Sequence, residues 1–211
     1  MPRSPNGADQ ADRHRSALGL VEGAGTSLFF VEEPSPALRP ARESDARAVA
    51  AIYRRYVVHT SASFEEAPPN TITMRERMLA APRLPWYVAV RDNEVVGYAY
   101  GSAHHARAAY RWAVDVSVYL ADQERGRGTG RALYELLLPE LARLGYVSVF
   151  AGIALPNPPS VGLHERLGFV HLGVFRQVGY KRGQWHDVGW WQRLLREPPS
   201  NPVAPQPWSP S

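Results

Sequence analysis

The order of periodicities along this chain predicts an α+β fold, with helices interleaved into a mostly antiparallel sheet. Three observations carry the prediction. Strand-like and helix-like stretches alternate between residues 37 and 195. "WYVAVRDNEVVGYAYG" sets two β-rich runs around Asp92-Asn93, a hairpin signal and hence an antiparallel pair. A composition of 45% hydrophobic and 10% aromatic residues over 211 positions is enough for one domain with a full core, plus tails.

The elements follow in order. "ALRPA" reads as a short first strand. "ESDARAVAAIYRRYVVH" places Ala46, Val49, Ala50, Tyr53, Tyr56 and Val57 at helical spacing, with Ser44 or Asp45 as N-cap. Thr73-Met74-Arg75-Glu76 has the form of a capping box opening a second helix. The hairpin comes next, then "RWAVDVSVYL" as a fourth strand. A glycine turn leads into a helix from about Gly128 to Leu144, with Pro139 expected to kink it and Gly145 to stop it. "YVSVFAGIA" is a fifth strand, "NPPSVGLHERLGF" a short helix closed by Gly168, and two strands finish through "WWQRLL". Residues 1–36 read as a loosely ordered N-terminal extension and 37–196 as the folded domain. Residues 197–211, with six prolines in fifteen positions, read as a Pro-rich disordered tail.

Composition narrows the chemistry. The absence of cysteine excludes disulfides, thiolate metal sites and cysteine nucleophiles. A net charge of +4 permits an anionic partner without demanding one. No aromatic-flanked basic stripe supports nucleic-acid binding. No apolar run approaches the roughly 18 residues that span a membrane, and no signal-peptide core stands at the N-terminus, so the cytoplasm is expected. His104 and His105 suggest metal ligands. Adjacent residues on a strand point to opposite faces and no third ligand accompanies them, so no metal site is expected.

"QERGRGTGRALYELL" poses the functional question. Gly126, Gly128 and Gly130 fall between a strand and a helix. A P-loop would need Lys-Ser or Lys-Thr after the glycines, and a dinucleotide fingerprint would need its third glycine where Arg131 stands. A plain tight turn would use one glycine. A pyrophosphate cradle uses several: backbone N–H groups unobstructed by a Cβ converge on phosphate oxygens, aided by the helix N-terminus and by Arg125 and Arg127.

Arg125-Gly126-Arg127-Gly128-Thr129-Gly130 resembles the pyrophosphate loop of the GNAT superfamily of acetyl-CoA-dependent N-acetyltransferases. Asn157, Ser160, Leu163-His164-Glu165 and Leu167-Gly168-Phe169 resemble its second signature. "ARAAYRWAVDVSVYL", "LPNPPSVGLHERLGF" and "VGYKRGQWHDVGWWQR" are similar to the phosphinothricin and methionine sulfoximine N-acetyltransferase branch, over roughly residues 37–195. The resemblance implies a sheet of about six to seven strands with helices on both faces, acetyl-CoA as co-substrate, a small amino-acid-like amine as acceptor, and a homodimer. Six tryptophans fit core or dimer surface better than catalysis.

The same resemblance implies roles. Backbone groups of Ser117, Val118 and Tyr119 would meet the pantetheine arm and thioester, Asn157 would hydrogen-bond that arm, and Arg125 to Gly130 would hold the pyrophosphate. Asp115 occupies the family's glutamate position as general base, one methylene shorter; an acid flanked by Val114 and Val116 is costly to bury unless paired or functional. His164 would act on the thiolate side, although a lone helical histidine is commonly structural. Arg107 suits a carboxylate or phosphinate clamp, with Tyr110 and Phe64 as further acceptor contacts. The alternative reading is a CoA-binding or sensing module without catalysis, which the shortened acid permits.

Overall fold

The computed structural model describes residues 18–21, 29–32, 34–80 and 83–210. The chain divides into two units, Met1–Pro34 and Ser35–Ser211. The first holds two strands, β1 (Leu18–Val21) and β2 (Phe29–Glu32), paired antiparallel. The extension expected to be loosely ordered therefore carries a hairpin-like pair.

In the second unit the described elements are β3 (Ala37–Pro40), α1 (Ala46–His59), α2 (Thr71–Leu79), β4 (Trp86–Arg91), β5 (Glu94–Ala103), β6 (Ala113–Leu120), α3 (Thr129–Arg143), β7 (Ser148–Leu155), α4 (Pro158–Arg166), β8 (Val170–Lys181) and β9 (Gln184–Leu194). The seven strands β3 to β9 form one sheet in the order β3-β4-β5-β6-β7-β9-β8. Every neighbouring pair is antiparallel except β6 with β7. The α+β, mostly antiparallel architecture read from the sequence is the one observed.

Local chemistry accounts for the boundaries. Asp92 and Asn93 both take positive φ (50° and 63°), the backbone a two-residue hairpin requires. α2 opens at Thr71 rather than at the capping box: Asn70, following two prolines, accepts the Thr73 N–H at 2.9 Å. Asp45 stands at the start of α1, but its side chain binds Arg39 at 2.7 and 2.8 Å and the Arg42 N–H at 2.7 Å. It thereby ties β3 to α1. α3 continues through Pro139 as one helix.

The pleat sends alternate strand residues to two cores. α1 and α2 cover one face with Val49, Tyr53, Val57, Met74 and Met78 against Trp86, Val88 and Tyr98. α3 covers the other with Leu133, Tyr134, Leu137 and Leu141 against Ala99, Val114, Val116 and Val149.

The tail is the clearest correction. Residues 197–210 are ordered against the domain. The Trp112 Nε1–H donates to Val203 O at 2.8 Å, Gln206 N–H to Leu144 O at 2.8 Å, and Trp208 N–H to Arg83 O at 2.9 Å. Trp208 is 4% exposed and joins the α3-side core, with the Arg83 guanidinium over its ring. Proline forbids helix and central strand, but an extended strap can still deliver one large aromatic to a pocket. Trp208→Ala should lower the unfolding free energy by about 3–5 kcal/mol in urea denaturation. A change within about 0.5 kcal/mol, as for an ordinary surface position, would return the segment to the status of a loose tail.

Candidate active site

β6 and β7 pair only at Ala113–Ser148, Val114–Val149 and Asp115–Phe150, and then part. β6 runs on to Leu120 along β5 alone. Strand alternation determines which groups are left facing the gap. The Leu120 N–H and C=O both meet the Tyr56 hydroxyl (3.1 and 2.7 Å), so they point away from β5. Two residues back along an uninterrupted ladder, the Val118 N–H and C=O point the same way. Ser117 and Tyr119 spend their backbone groups on β5. Of the three residues expected to line the pantetheine arm, the geometry offers Val118. The Tyr119 ring packs edge-on to Tyr53 and Tyr56.

The glycine turn lies where β6 ends. Gly126 (φ 78°) and Gly128 (φ 83°) adopt the left-handed conformation, and a Cβ at either would meet no atom within 4 Å, so their space is open on the outside. Gly130 has a different task. A Cβ there would stand 3.4 Å from Leu163 and 3.6–3.7 Å from Leu120 and Val118, so it lets the start of α3 pack against β6 and α4. Beneath the turn lies a residue the sequence reading passed over. Glu124, fully buried, receives Arg91 Nε at 2.7 Å and the Thr129 hydroxyl at 2.6 Å. Burial pushes its carboxyl up, and Arg91 and Thr129 outweigh that and hold it below the ordinary range. Arg125 lies over the Tyr56 ring and pairs with Asp122 at 3.1 Å. The exposed turn, its helix N-terminus and the gap fit a pyrophosphate with an extended arm. Asn157 caps α4, its Oδ1 accepting the Ser160 N–H at 3.3 Å, while its Nδ2 has no partner among the described residues.

Asp115 is the last β6 residue paired to β7. It is half-buried, and its Oδ1 lies 2.6 Å from His104 Nδ1. Burial pushes the carboxyl up and His104 opposes it. His104 and His105 do not face opposite ways as strand neighbours would, because β5 ends at Ala103. In the loop beyond, the two rings meet edge-to-face at 4.3 Å. Among the described residues no group of three or more His, Asp or Glu could hold a metal.

Ser102, the register partner of Asp115, lines a cavity of about 310 Å³ together with Tyr53, Met74, Arg77, Tyr98 and Tyr100. Arg77 grips Glu65 bidentately (2.7 and 3.0 Å), and Glu65 also accepts the Tyr53 hydroxyl at 2.8 Å. The Tyr53 hydroxyl is pushed up to about 12, first by burial, so it remains a donor. The acceptor contacts named from the sequence lie elsewhere. Phe64 covers Gly179 on β8, where a Cβ would fall 2.2 Å from its ring. Arg107 is exposed in the loop after β5. Tyr110 packs on His105 at 4.8 Å and reaches the His104 ring at 6.2 Å, so it belongs to the Asp115 cluster. Pairings of this kind leave no short-range sequence signal.

Comparison with known proteins agrees with this geometry. Residues 38–190 match the acetyltransferase (GNAT) domain family. The chain is 41% identical over 172 residues to a phosphinothricin N-acetyltransferase of Streptomyces viridochromogenes, covering 80% of this chain and 93% of that one. It is 33% identical to an L-methionine sulfoximine/L-methionine sulfone acetyltransferase of Pseudomonas paraeruginosa, covering 76% and 95%. Among solved structures, a phosphinothricin acetyltransferase from Sinorhizobium meliloti in complex with acetyl-CoA superposes with a TM-score of 0.74 at 35% identity, covering 79% of this chain and 95% of that one.

His164 departs from the role the resemblance implied. It is 3% exposed, and both ring nitrogens are engaged inside the protein. A carbonyl can only accept, so Nδ1 carries the proton donated to Ser160 O at 2.7 Å, and Nε2 accepts from the Tyr134 hydroxyl at 3.1 Å. Its ring is wedged between Tyr134 and Phe169. Burial holds its pKa below the ordinary value, keeping the folded imidazole neutral. In the unfolded chain it protonates below about pH 6.5. As pH falls through that value the unfolded state binds the extra proton, so this contribution is present above pH 6.5 and is lost on acidification. The stability difference between wild type and His164→Gln should therefore shrink from pH 7.5 to pH 5, by up to about 1.4 kcal/mol per pH unit. Urea unfolding at a series of pH values measures it; a flat difference would mean that His164 titrates as an exposed histidine does.

Proposed function

Because the chain belongs to the GNAT acetyltransferase family, we propose that it moves the acetyl group of acetyl-CoA to the amine of a small amino-acid-like acceptor in the cytoplasm. Phosphinothricin, methionine sulfoximine and methionine sulfone are the first candidates, since relatives at 33–41% identity carry those names. The observation that carries the reading is the gap between β6 and β7. It opens beyond Asp115 at the edge of the 310 Å³ cavity, and at its other end β6 leads into the glycine turn.

The chain's own groups divide the work. Gly126 and Gly128 leave the backbone N–H groups of the turn and of the first α3 residues open to phosphate oxygens, with Arg125 and Arg127 adding charge. The Val118 N–H polarises a thioester oxygen in the gap, and the Asn157 Nδ2 donates to the arm's amides. Asp115 centres the deprotonation of the amine. The cavity wall of Tyr98, Tyr100 and Met74 suits an aliphatic acceptor. Arg77, already neutralised by Glu65, presents hydrogen-bond donors more than net charge.

Free CoA released from acetyl-CoA over a panel of phosphinothricin, methionine sulfoximine, methionine sulfone and common amino acids tests the reading. Rapid release with at least one candidate is expected, and Gly128→Val should weaken acetyl-CoA binding by roughly tenfold or more by straining a left-handed position and obstructing the turn. Tight acetyl-CoA binding with no release across the panel would favour a CoA-sensing module.

The edge strand β8 exposes Val170, Leu172, Phe175, Val178 and Tyr180, with Trp185 on β9 beside them. An apolar edge of this kind invites a second copy. A homodimer is expected in sedimentation at micromolar concentration, and a single 23.5 kDa species would refute it.

A further inference from the structure

His104 has no structural role in the sheet, and its placement bears on the deprotonation step. It stands one residue beyond Ala103, which lines the acceptor cavity, and stacks face-on over Phe150, the β7 residue paired with Asp115, at 4.2 Å and 13°. The ring therefore covers the apex at which β6 and β7 part. Its Nδ1 lies 2.6 Å from Asp115 Oδ1. A carboxylate accepts, so Nδ1 bears the proton and Nε2 carries the free lone pair. Among the described residues Nε2 has no hydrogen-bond partner, and the buried side-chain nitrogens without partners are Arg83 Nε and Trp190 Nε1. The Nε2 lone pair is therefore open to solvent, one residue beyond the cavity-lining Ala103. The Asp115 carboxylate is committed to the imidazole instead.

On the function proposed above, we infer that His104 Nε2 is the atom that takes the proton from the acceptor's ammonium group, and that Asp115 is its positioning partner. Asp115 fixes the tautomer and stabilises the imidazolium, as a buried aspartate does for a catalytic histidine elsewhere. The proton moves from the ammonium nitrogen to Nε2, and the amine lone pair then forms the N–C bond to the thioester carbonyl carbon. The C–S bond breaks with its electron pair leaving on sulfur. The second amine proton, lost as the amide forms, goes to that sulfur, and the imidazolium returns its proton to water. The products are the acetamide and CoA thiol, with one proton released and no change of oxidation state.

The titratable groups facing His104 are Asp115 on β6 and His105 and Tyr110 in the loop after β5. The other packed rings, Phe150 on β7 and Trp190 on β9, do not titrate. Asp115 thus supplies the charge nearest the ring, 2.6 Å from Nδ1.

His104→Phe keeps the stacked ring and removes the acceptor atom, and His104→Gln keeps polarity without basicity. Both should bind acetyl-CoA as wild type does and melt cooperatively. kcat/KM should fall by about 10²–10⁴-fold and the acidic limb of its pH profile should disappear. Asp115→Asn should lower the rate by a similar order while retaining cofactor affinity. Adding Asp115→Glu to His104→Phe should recover at least tenfold, because the longer carboxylate reaches the amine itself. An active wild type whose two His104 variants stay within threefold, with the acidic limb intact, would overturn this inference and leave the transferase reading standing. An inactive wild type that still binds acetyl-CoA would overturn both.

Discussion

Two neighbouring parallel strands that stop bonding after three residue pairs impose the main constraint on this domain. A sheet ordinarily satisfies every interior N–H and C=O, and an unpaired buried group costs about 1–3 kcal/mol. Beyond Asp115 and Phe150 that obligation falls on other groups. The Tyr56 hydroxyl, on α1, meets the two Leu120 groups, donating to the carbonyl and accepting from the N–H. The groups of Val118 are left for whatever enters. An opening in a sheet is thus kept as a preformed slot because neighbouring elements satisfy its ends.

The slot is useful only if the turn at its end holds its shape, and that rests on one buried anion. Glu124 joins Arg91 at the end of β4 to Thr129 at the first turn of α3. Loss of one partner from such a pair leaves an uncompensated buried charge, at a cost of about 3–5 kcal/mol. Arg91 itself belongs to the hairpin that Asp92 and Asn93 close, so the glycine turn after β6 is braced from β4, two strands away.

The sequence made some layers legible and hid others, for a consistent physical reason. Periodicity and turn chemistry are local, so every strand and helix of the main sheet can be read from them, and Gly126 and Gly128 take the left-handed conformation that a glycine-dependent turn requires. Contacts between side chains far apart in the chain are not local. Glu124 reads as a loop acid, and only the fold brings Arg91 to it. His104 and Asp115 are eleven residues apart, and their meeting depends on β5 ending at Ala103 so that the loop can turn the ring inward. His164 carried the right motif, but its environment is set by Tyr134 on another helix. Phe64 and Arg107 have the chemical type of acceptor contacts, and type does not decide which way a loop residue faces.

The strap from 197 to 210 extends these long-range links to the acceptor cavity. Trp208 hydrogen-bonds the backbone of Arg83 and sits under its guanidinium, and the next residue, Leu84, is part of the cavity wall. A stretch with the composition of a spacer therefore behaves as a mechanical stop on the segment entering β4. Local opening of the strap would loosen that wall before it disturbed the glycine turn at the start of α3. In evolutionary terms, drift in this proline-rich segment is a route by which the cavity beside Leu84 can be reshaped while the glycine turn is left untouched.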